Sequence, residues 1–310
     1  MLLPLLERCD VVVHNFGRAA CEHLGVDEPA VRRIAPDIVY LKLNAFGRTG
    51  PWCDLRGYAE LANITTGISE RSLGGRARES GSSPLLDNPR WFFTDYAAGV
   101  LGAYATLLAL YHRSRTGRGS RAETALIGAT MLEQAPYLIG GARNADAEPR
   151  GAAMGWSPLQ RLYRTADGHV FLAASSEQRA AVLHALDASH DAAGIELTSA
   201  LSAAVAALST DECCARLRRV GVGIHPVTRL PDLMEPGGIA DQRGLRLEDR
   251  TDDSGVIVMP GPVARLSRTP MRPGAIPAPF GADRELVLAL LDEPVRAERH
   301  VWASSADHRP

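Results

Sequence analysis

The 310-residue sequence predicts an α/β protein built on a parallel sheet with helices on its faces. Three observations predict it. Residues 10–14 and 38–44 are continuous apolar runs of the kind found in strands covered on both faces. A capped helical stretch lies between them, and strand, helix, strand in this length is a βαβ unit. A long apolar helical pattern opening at Phe93 then leads into a third strand-like run, Arg121 to Leu126.

Taken in order, Asp10 to His14 is the first strand. Asp27 caps a short helix that carries Pro29 in its first turn and ends at Ile34, before Pro36. Ile38 to Asn44 is the second strand. Phe46 to Pro51, FGRTGP, is a turn punctuated by glycine and proline, and it leads to Arg56-Gly57-Tyr58-Ala59. Ser69 to Asn88 is polar and glycine-rich and reads as a surface loop. From Phe93 the apolar residues Leu101, Tyr104, Ala105 and Leu108, with His112, recur at helical spacing and predict one buried face. Thr94 or Asp95 can cap its first turn. Arg113 and Arg115 complement its negative end before Gly117 and Gly119 stop it.

Met131 to Gly155 reads as a helix and then a linker, with Gly140-Gly141 and Asp146 to Gly151 marking the break. Leu162 to Thr165 and His169 to Ala173 flank Ala166-Asp167-Gly168, a hairpin signal. Arg179 to Asp187 and Leu197 to Val220 read as helices, and Asp283 to Leu291 as a final one.

The bulk properties describe an ordinary globular chain. Apolar residues make up 45% and the formal net charge is −2, so no basic excess points to nucleic acid. No apolar run is read as reaching the length of a membrane span, and MLLPLLERCD turns acidic too soon for a signal peptide. The five cysteines are odd in number and lack metal-type spacing. They fit reduced thiols and a cytoplasmic location, with Cys213 and Cys214 as packing residues.

Ligands of parallel sheets bind beyond the carboxyl ends of the strands. That places His14-Asn15-Phe16-Gly17 and Asn44-Ala45-Phe46-Gly47 at the mouth of a site, against the plainer reading of both as simple loops. A carboxylate at a helix start stays ionised, because free backbone N–H groups stabilise the anion. Asp95 can therefore be a cap or a carboxylate nucleophile that forms a covalent acyl intermediate. Periodicity does not separate the two. No Gly-x-Ser-x-Gly elbow, P-loop or His-Glu-x-x-His motif competes.

The stretches DVVVHNF, PDIVYLKLNAFGRTGP, GYAELANITTG and TDYAAGVLGAYATLLALYHRSRTGRG, in this order between Asp10 and Ala129, resemble the family III CoA-transferases. This is the CaiB/BaiF group that includes formyl-CoA transferase. The resemblance implies a Rossmann-like parallel sheet with flanking helices, here with an incomplete first half, and a smaller α+β second domain. The chain then returns to the large domain at its C-terminus. The implied boundaries are a large catalytic domain over 1–155, a small domain over 156–255 and a return segment over 256–310. That segment includes VIVMPGP and Arg265 to Pro270, while His225-Pro226-Val227 resembles the family's GVP-type turn.

The resemblance also implies roles. Asp95 matches the nucleophile of a transferase that moves CoA between carboxylic acids through an aspartyl acyl-anhydride and an aspartyl-CoA thioester. Coenzyme A enters as a substrate, and no metal is implied. Asn15, Phe16 and Gly17 match a stretch that contacts CoA. His23 stands where the family has a basic residue that approaches CoA, and a neutral histidine holds phosphate less well than arginine. Arg56 and Tyr58 match residues lining the CoA and acyl site, followed here by Ala59 in place of a frequent acid. The related α-methylacyl-CoA racemases have a catalytic histidine near the position of Tyr58, and a tyrosine is a poor base near neutral pH. A racemase is therefore the second reading. The family's leading strand–helix–strand section is not matched, and its glycine-rich lid is not evident. The third reading is accordingly a non-catalytic remnant or a subunit completed by a second chain. The implied oligomer is an interlinked homodimer.

Overall fold

In the computed structural model the described residues are 2–69, 93–135, 155–189, 193–251, 255–262, 264–270 and 279–293. They fall into two compact units, one of residues 1–153 with 286–310 and one of residues 154–285.

The first unit holds a three-stranded parallel sheet in the order β1 (Val11–His14), β2 (Val39–Asn44), β3 (Arg121–Ala125). Val11 pairs with Val39, and Tyr40 pairs with Arg121. The predicted βαβ unit is present, with two short helices in its crossover: α2 (Arg18–Leu24) and α3 (Glu28–Ile34), after an N-terminal α1 (Leu2–Leu6). Asp27 caps α3 as expected, its carboxylate accepting from the Ala30 N–H at 3.3 Å.

Alternate residues of a strand face opposite sides, so β2 must be covered twice. On one side Tyr40 packs with Leu6, Cys21, Val26, Val31 and Ala35 from the N-terminal helices. On the other lies α5 (Phe93–Thr116), which follows α4 (Ala59–Thr65) among the described residues. The Thr124 hydroxyl donates to the Ala98 carbonyl at 3.3 Å, tying α5 to β3.

The buried positions of α5 are Thr94, Ala98, Gly102 and Ala109, small residues that let the helix approach the strands closely. This corrects the expected stripe. Leu101 and Ala105 are half-buried, but Tyr104, Leu108 and His112 are exposed. The pattern misled because large apolar side chains mark the wrong face when the sheet contact selects for small ones. Phe93, Tyr96, Val100, Tyr104, Leu107 and Tyr111 form an exposed apolar stripe along the helix. By length and composition alone α5 is also apolar enough to span a membrane, contrary to the expectation that no run is.

The helix ends at Thr116, with Gly117 at φ +72°, a left-handed conformation that suits glycine. Arg113 in its last turn reaches Asp10 (2.7 Å) at the start of β1. The helix α6 (Leu126–Glu133) follows β3 directly, so the helix predicted from Met131 begins five residues earlier, at Leu126, and ends at Glu133. Ile127 is held to the Ala45 carbonyl (3.0 Å), which explains the early start. The glycines and linker from 136 onward, and the surface loop over 70–88, lie outside the described residues. Near the other end of the chain, the Arg8 guanidinium donates to the carbonyls of Leu291 (2.7 Å) and Glu293 (2.6 Å).

The second unit carries a four-stranded antiparallel sheet, β4 (Gly155–Ser157), β5 (Gln160–Arg164), β6 (His169–Ala173) and β7 (Gly223–Pro226). The Asp-Gly hairpin is formed between β5 and β6. Val170 and Leu172 point inward from β6 against α7 (Arg179–Ala185), α8 (Gly194–Ala206) and α9 (Thr210–Arg219). The single helix expected over 197–220 is split, because the Ser209 hydroxyl caps α9 by accepting from the Glu212 N–H at 3.2 Å. His225 and Pro226, expected in a turn, lie in β7. Cys213 and Cys214 are buried free thiols, and burial pushes Cys213 up to about 11, which fits the packing role. Short helices α10 (Leu230–Leu233) and α11 (Ile239–Gln242) precede a two-stranded hairpin of β8 (Arg246–Thr251) and β9 (Gly255–Pro260). The final helix, α12 (Arg284–Asp292), belongs from Leu286 onward to the first unit.

Asp167 in the hairpin turn accepts from both the N–H and the hydroxyl of Thr210 at 2.7 Å. These bonds hold its carboxyl below the usual range. Its contribution to stability is therefore present above the unfolded-state value and is lost as pH falls through the lower folded value. Asp167→Asn should lower the thermal midpoint near pH 7, and the gap from wild type should close in acid. Leu217, fully buried in the same core, should cost about 2–5 kcal/mol when cut to alanine, measured by urea unfolding.

Candidate active site

The carboxyl ends of β1 and β2 point the loops 15–17 and 45–47 to the same edge of the sheet, as parallel pairing requires. The second loop is locked by Asn44. Its amide donates to the Glu123 carboxylate (2.7 Å), and its carbonyl accepts from the Gly47 N–H (2.5 Å). Arg121 steadies Glu123 in turn (3.2 Å) and reaches Glu28 on α3 (3.0 Å).

The next segment lies against this loop. A methyl group at Gly57 would stand 2.5 Å from the Ala45 Cβ and 2.7 Å from the Phe46 ring, so only glycine fits there. Phe46 meets Trp52 edge-on at 5.8 Å. Arg18, next to Gly17, pairs with Asp54 at 3.0 Å, which brings the first loop alongside the turn before Arg56. Both partners are exposed, so the pair orients the loops more than it stabilises them. Arg56 and Tyr58 are exposed, and Tyr58 is the residue that opens α4.

Asp95 lies in the first turn of α5, exposed, with no hydrogen bond to its carboxylate among the described residues. Its neighbour Thr94 turns inward instead. The Thr94 hydroxyl donates to the Asn63 side-chain carbonyl on α4 at 2.5 Å, and both residues are buried. This bond joins the helix opened by Tyr58 to the helix that carries Asp95. Asn63 does not stand out in the sequence, and Thr94 there reads as a possible cap. A buried-spaced polar residue in the apolar run LANIT was the available signal, but its partner is 31 residues away.

Asn15, Phe16, Gly17 and His23 are all exposed. No hydrogen bond joins His23 to the loop among the described residues. The first loop is held from below by His14, which is buried at the end of β1. The Phe16 N–H donates to His14 Nδ1 at 3.2 Å, and His14 Nε2 lies 2.6 Å from the Tyr40 hydroxyl. Among the described residues no group of three His, Cys, Asp or Glu side chains forms a metal centre.

Comparison with known proteins matches this architecture. The profile of CoA-transferase family III matches residues 1–284. Over 90% of its length the chain is 26% identical to succinyl-CoA:glutarate CoA-transferase of Mus musculus, and it spans 66% of that protein. Over 54% of its length it is 31% identical to α-methylacyl-CoA racemase of Homo sapiens, spanning 43% of that protein. A crystal structure of a CaiB/BaiF family protein from Brucella suis superposes with a TM-score of 0.77 at 21% identity. That match covers 94% of this chain and 78% of the other, and it carries the fold.

The Thr94–Asn63 pair makes a direct prediction. Thr94→Val keeps the shape but leaves a buried amide oxygen unpaired, which should cost about 1–3 kcal/mol in urea unfolding. The double variant with Asn63→Ala should cost less than the sum of the two single changes, because they remove one shared bond.

Proposed function

From the premise that the chain belongs to CoA-transferase family III, we propose that it moves CoA between carboxylic acids with Asp95 as the nucleophile. The observation that carries this reading is the division of labour at the start of α5. Thr94 is consumed by a buried bond, while the carboxylate beside it is exposed and unheld among the described residues. A residue placed only to brace the helix would be expected to engage a backbone N–H group of the first turn.

In this reading the Asp95 carboxylate attacks the thioester carbonyl of an acyl-CoA and expels CoA thiolate, leaving a mixed anhydride. The thiolate attacks the aspartyl carbonyl, releasing the first acid and leaving an aspartyl-CoA thioester. An acceptor carboxylate attacks that thioester and frees the thiolate again, which then takes the acceptor's acyl group and restores Asp95. Each step exchanges one activated acyl bond for another, so the cycle needs no external energy source. Backbone N–H groups of the first turn are suited to stabilise the oxyanions. The loops at Asn15-Phe16-Gly17 and the segment with Arg56 and Tyr58 would hold CoA, with His23 near its phosphates.

The mouse relative's named activity makes succinyl-CoA and glutarate the first pair to assay. The similarity to the human racemase supports a second reading, proton exchange at the α-carbon of an acyl-CoA. Tyr58 is a weak candidate for its base.

With acyl-CoA present, hydroxylamine should convert Asp95 to a hydroxamate that mass spectrometry locates. Asp95→Asn should lower the transfer rate by about 10³-fold or more with the fold intact. Transfer that persists in Asp95→Ala would end the proposal. Deuterium entering the substrate α-carbon without CoA exchange would put the racemase reading first.

A further inference from the structure

We infer that His14, as a neutral imidazole protonated on Nε2, is the positioning residue for the Asn15-Phe16 loop, and that a second proton on the ring releases the loop. The inference rests on the reading of that loop as a CoA contact only for its functional consequence.

Two independent constraints assign the tautomer. The Val26 carbonyl can only accept, so the Tyr40 hydroxyl spends its one proton there, at 2.9 Å. The Tyr40 oxygen must then accept from His14, which places a proton on Nε2 across the 2.6 Å contact. At the other end, the Phe16 backbone N–H can only donate, so Nδ1 must present its lone pair across 3.2 Å. Both ends require the same ring. Cys21 adds a second hold: its sulfur lies 3.6 Å from Nδ1 and 3.8 Å from the Phe16 carbonyl. With Nδ1 already engaged by the Phe16 N–H, the thiol proton is best spent on that carbonyl. The backbone of Phe16 is thus gripped at its N–H by the ring and at its carbonyl by the thiol.

A proton on Nδ1 would face the Phe16 N–H donor to donor, so protonation must break the contact. The surroundings oppose the charged ring as well. His14 is buried, Lys42 faces it from the paired position on β2, and Arg121 adds positive charge from β3. Cys21 on α2 and Tyr40 on β2 are the other titratable groups in contact. Glu22, Asp27 and Glu28 act on those two residues in turn. Burial first, then Lys42 and Arg121, hold His14 below its ordinary 6.5. The loop contact is therefore complete above that value and is lost as pH falls through the lower folded one.

The test needs no variant to begin. In ¹⁵N NMR of the full chain, His14 should show the Nε2–H tautomer at neutral pH. The Phe16 amide shift and its hydrogen exchange should change along the His14 titration curve. Binding is then measured by calorimetry with dephospho-CoA, which lacks the phosphate monoester that itself titrates near about 6. A His23→Asn background removes the other histidine proposed to approach CoA. Affinity should fall about fivefold or more through the His14 transition. In His14→Gln, whose amide oxygen can accept from the Phe16 N–H without titrating, binding should persist and lose that step. A Phe16 amide that ignores the His14 titration, or a pH step that survives unchanged in His14→Gln, would overturn the inference. If dephospho-CoA binds at no pH while the Phe16 amide still follows His14, the positioning role stands and the CoA reading of the loop fails.

Discussion

The first unit is governed by the requirement that β2 be buried on both faces. Ile38, Val39, Tyr40 and Leu41 are almost wholly removed from solvent, so cover must come from both sides. The N-terminal helices supply one layer and α5 the other. The second layer lies close to the strands, so it is made from Thr94, Ala98, Gly102 and Ala109. That choice turns the bulky residues of α5 outward. It also sets the first turn of the helix against α4, where Thr94 meets Asn63.

A common plan runs through the candidate site. Two exposed segments with a proposed chemical role adjoin a buried polar anchor. Thr94 anchors beside Asp95 and His14 beside Asn15 and Phe16, while the half-buried Asn44 holds the loop of Phe46 and Gly47. Exposed side chains are costly to order by themselves, because each loses rotamer freedom with little packing in return. Fixing the adjacent backbone through a satisfied buried group limits that cost while leaving the reactive atoms open to a ligand.

The elements were largely legible because their signals are local. Continuous apolar runs marked β1 and β2, Asp27 with Pro29 marked the start of α3, and Asp-Gly marked the hairpin of the second unit. The family pattern directed attention to Asp95 and to the loops after β1 and β2. The buried face of α5 was not legible, because contact with the sheet selects for small side chains while periodicity weighs large ones. Nor was the break at Ser209, which depends on one hydroxyl capping a helix inside a continuously helical-looking stretch. The anchors were the hardest to see. Asn63 with Thr94, and His14 with Tyr40, join residues 31 and 26 positions apart, and no local pattern encodes such a meeting.

The two bonds from Arg8 to the carbonyls of Leu291 and Glu293 span more than 280 positions of the chain. In the antiparallel sheet of the second unit, by contrast, the pairings of β4 with β5 and of β5 with β6 join near neighbours in sequence. Contacts between distant positions form late, because a large loop must close before they contribute. The hairpin in the middle of this sequence can therefore consolidate before the Arg8 clasp closes.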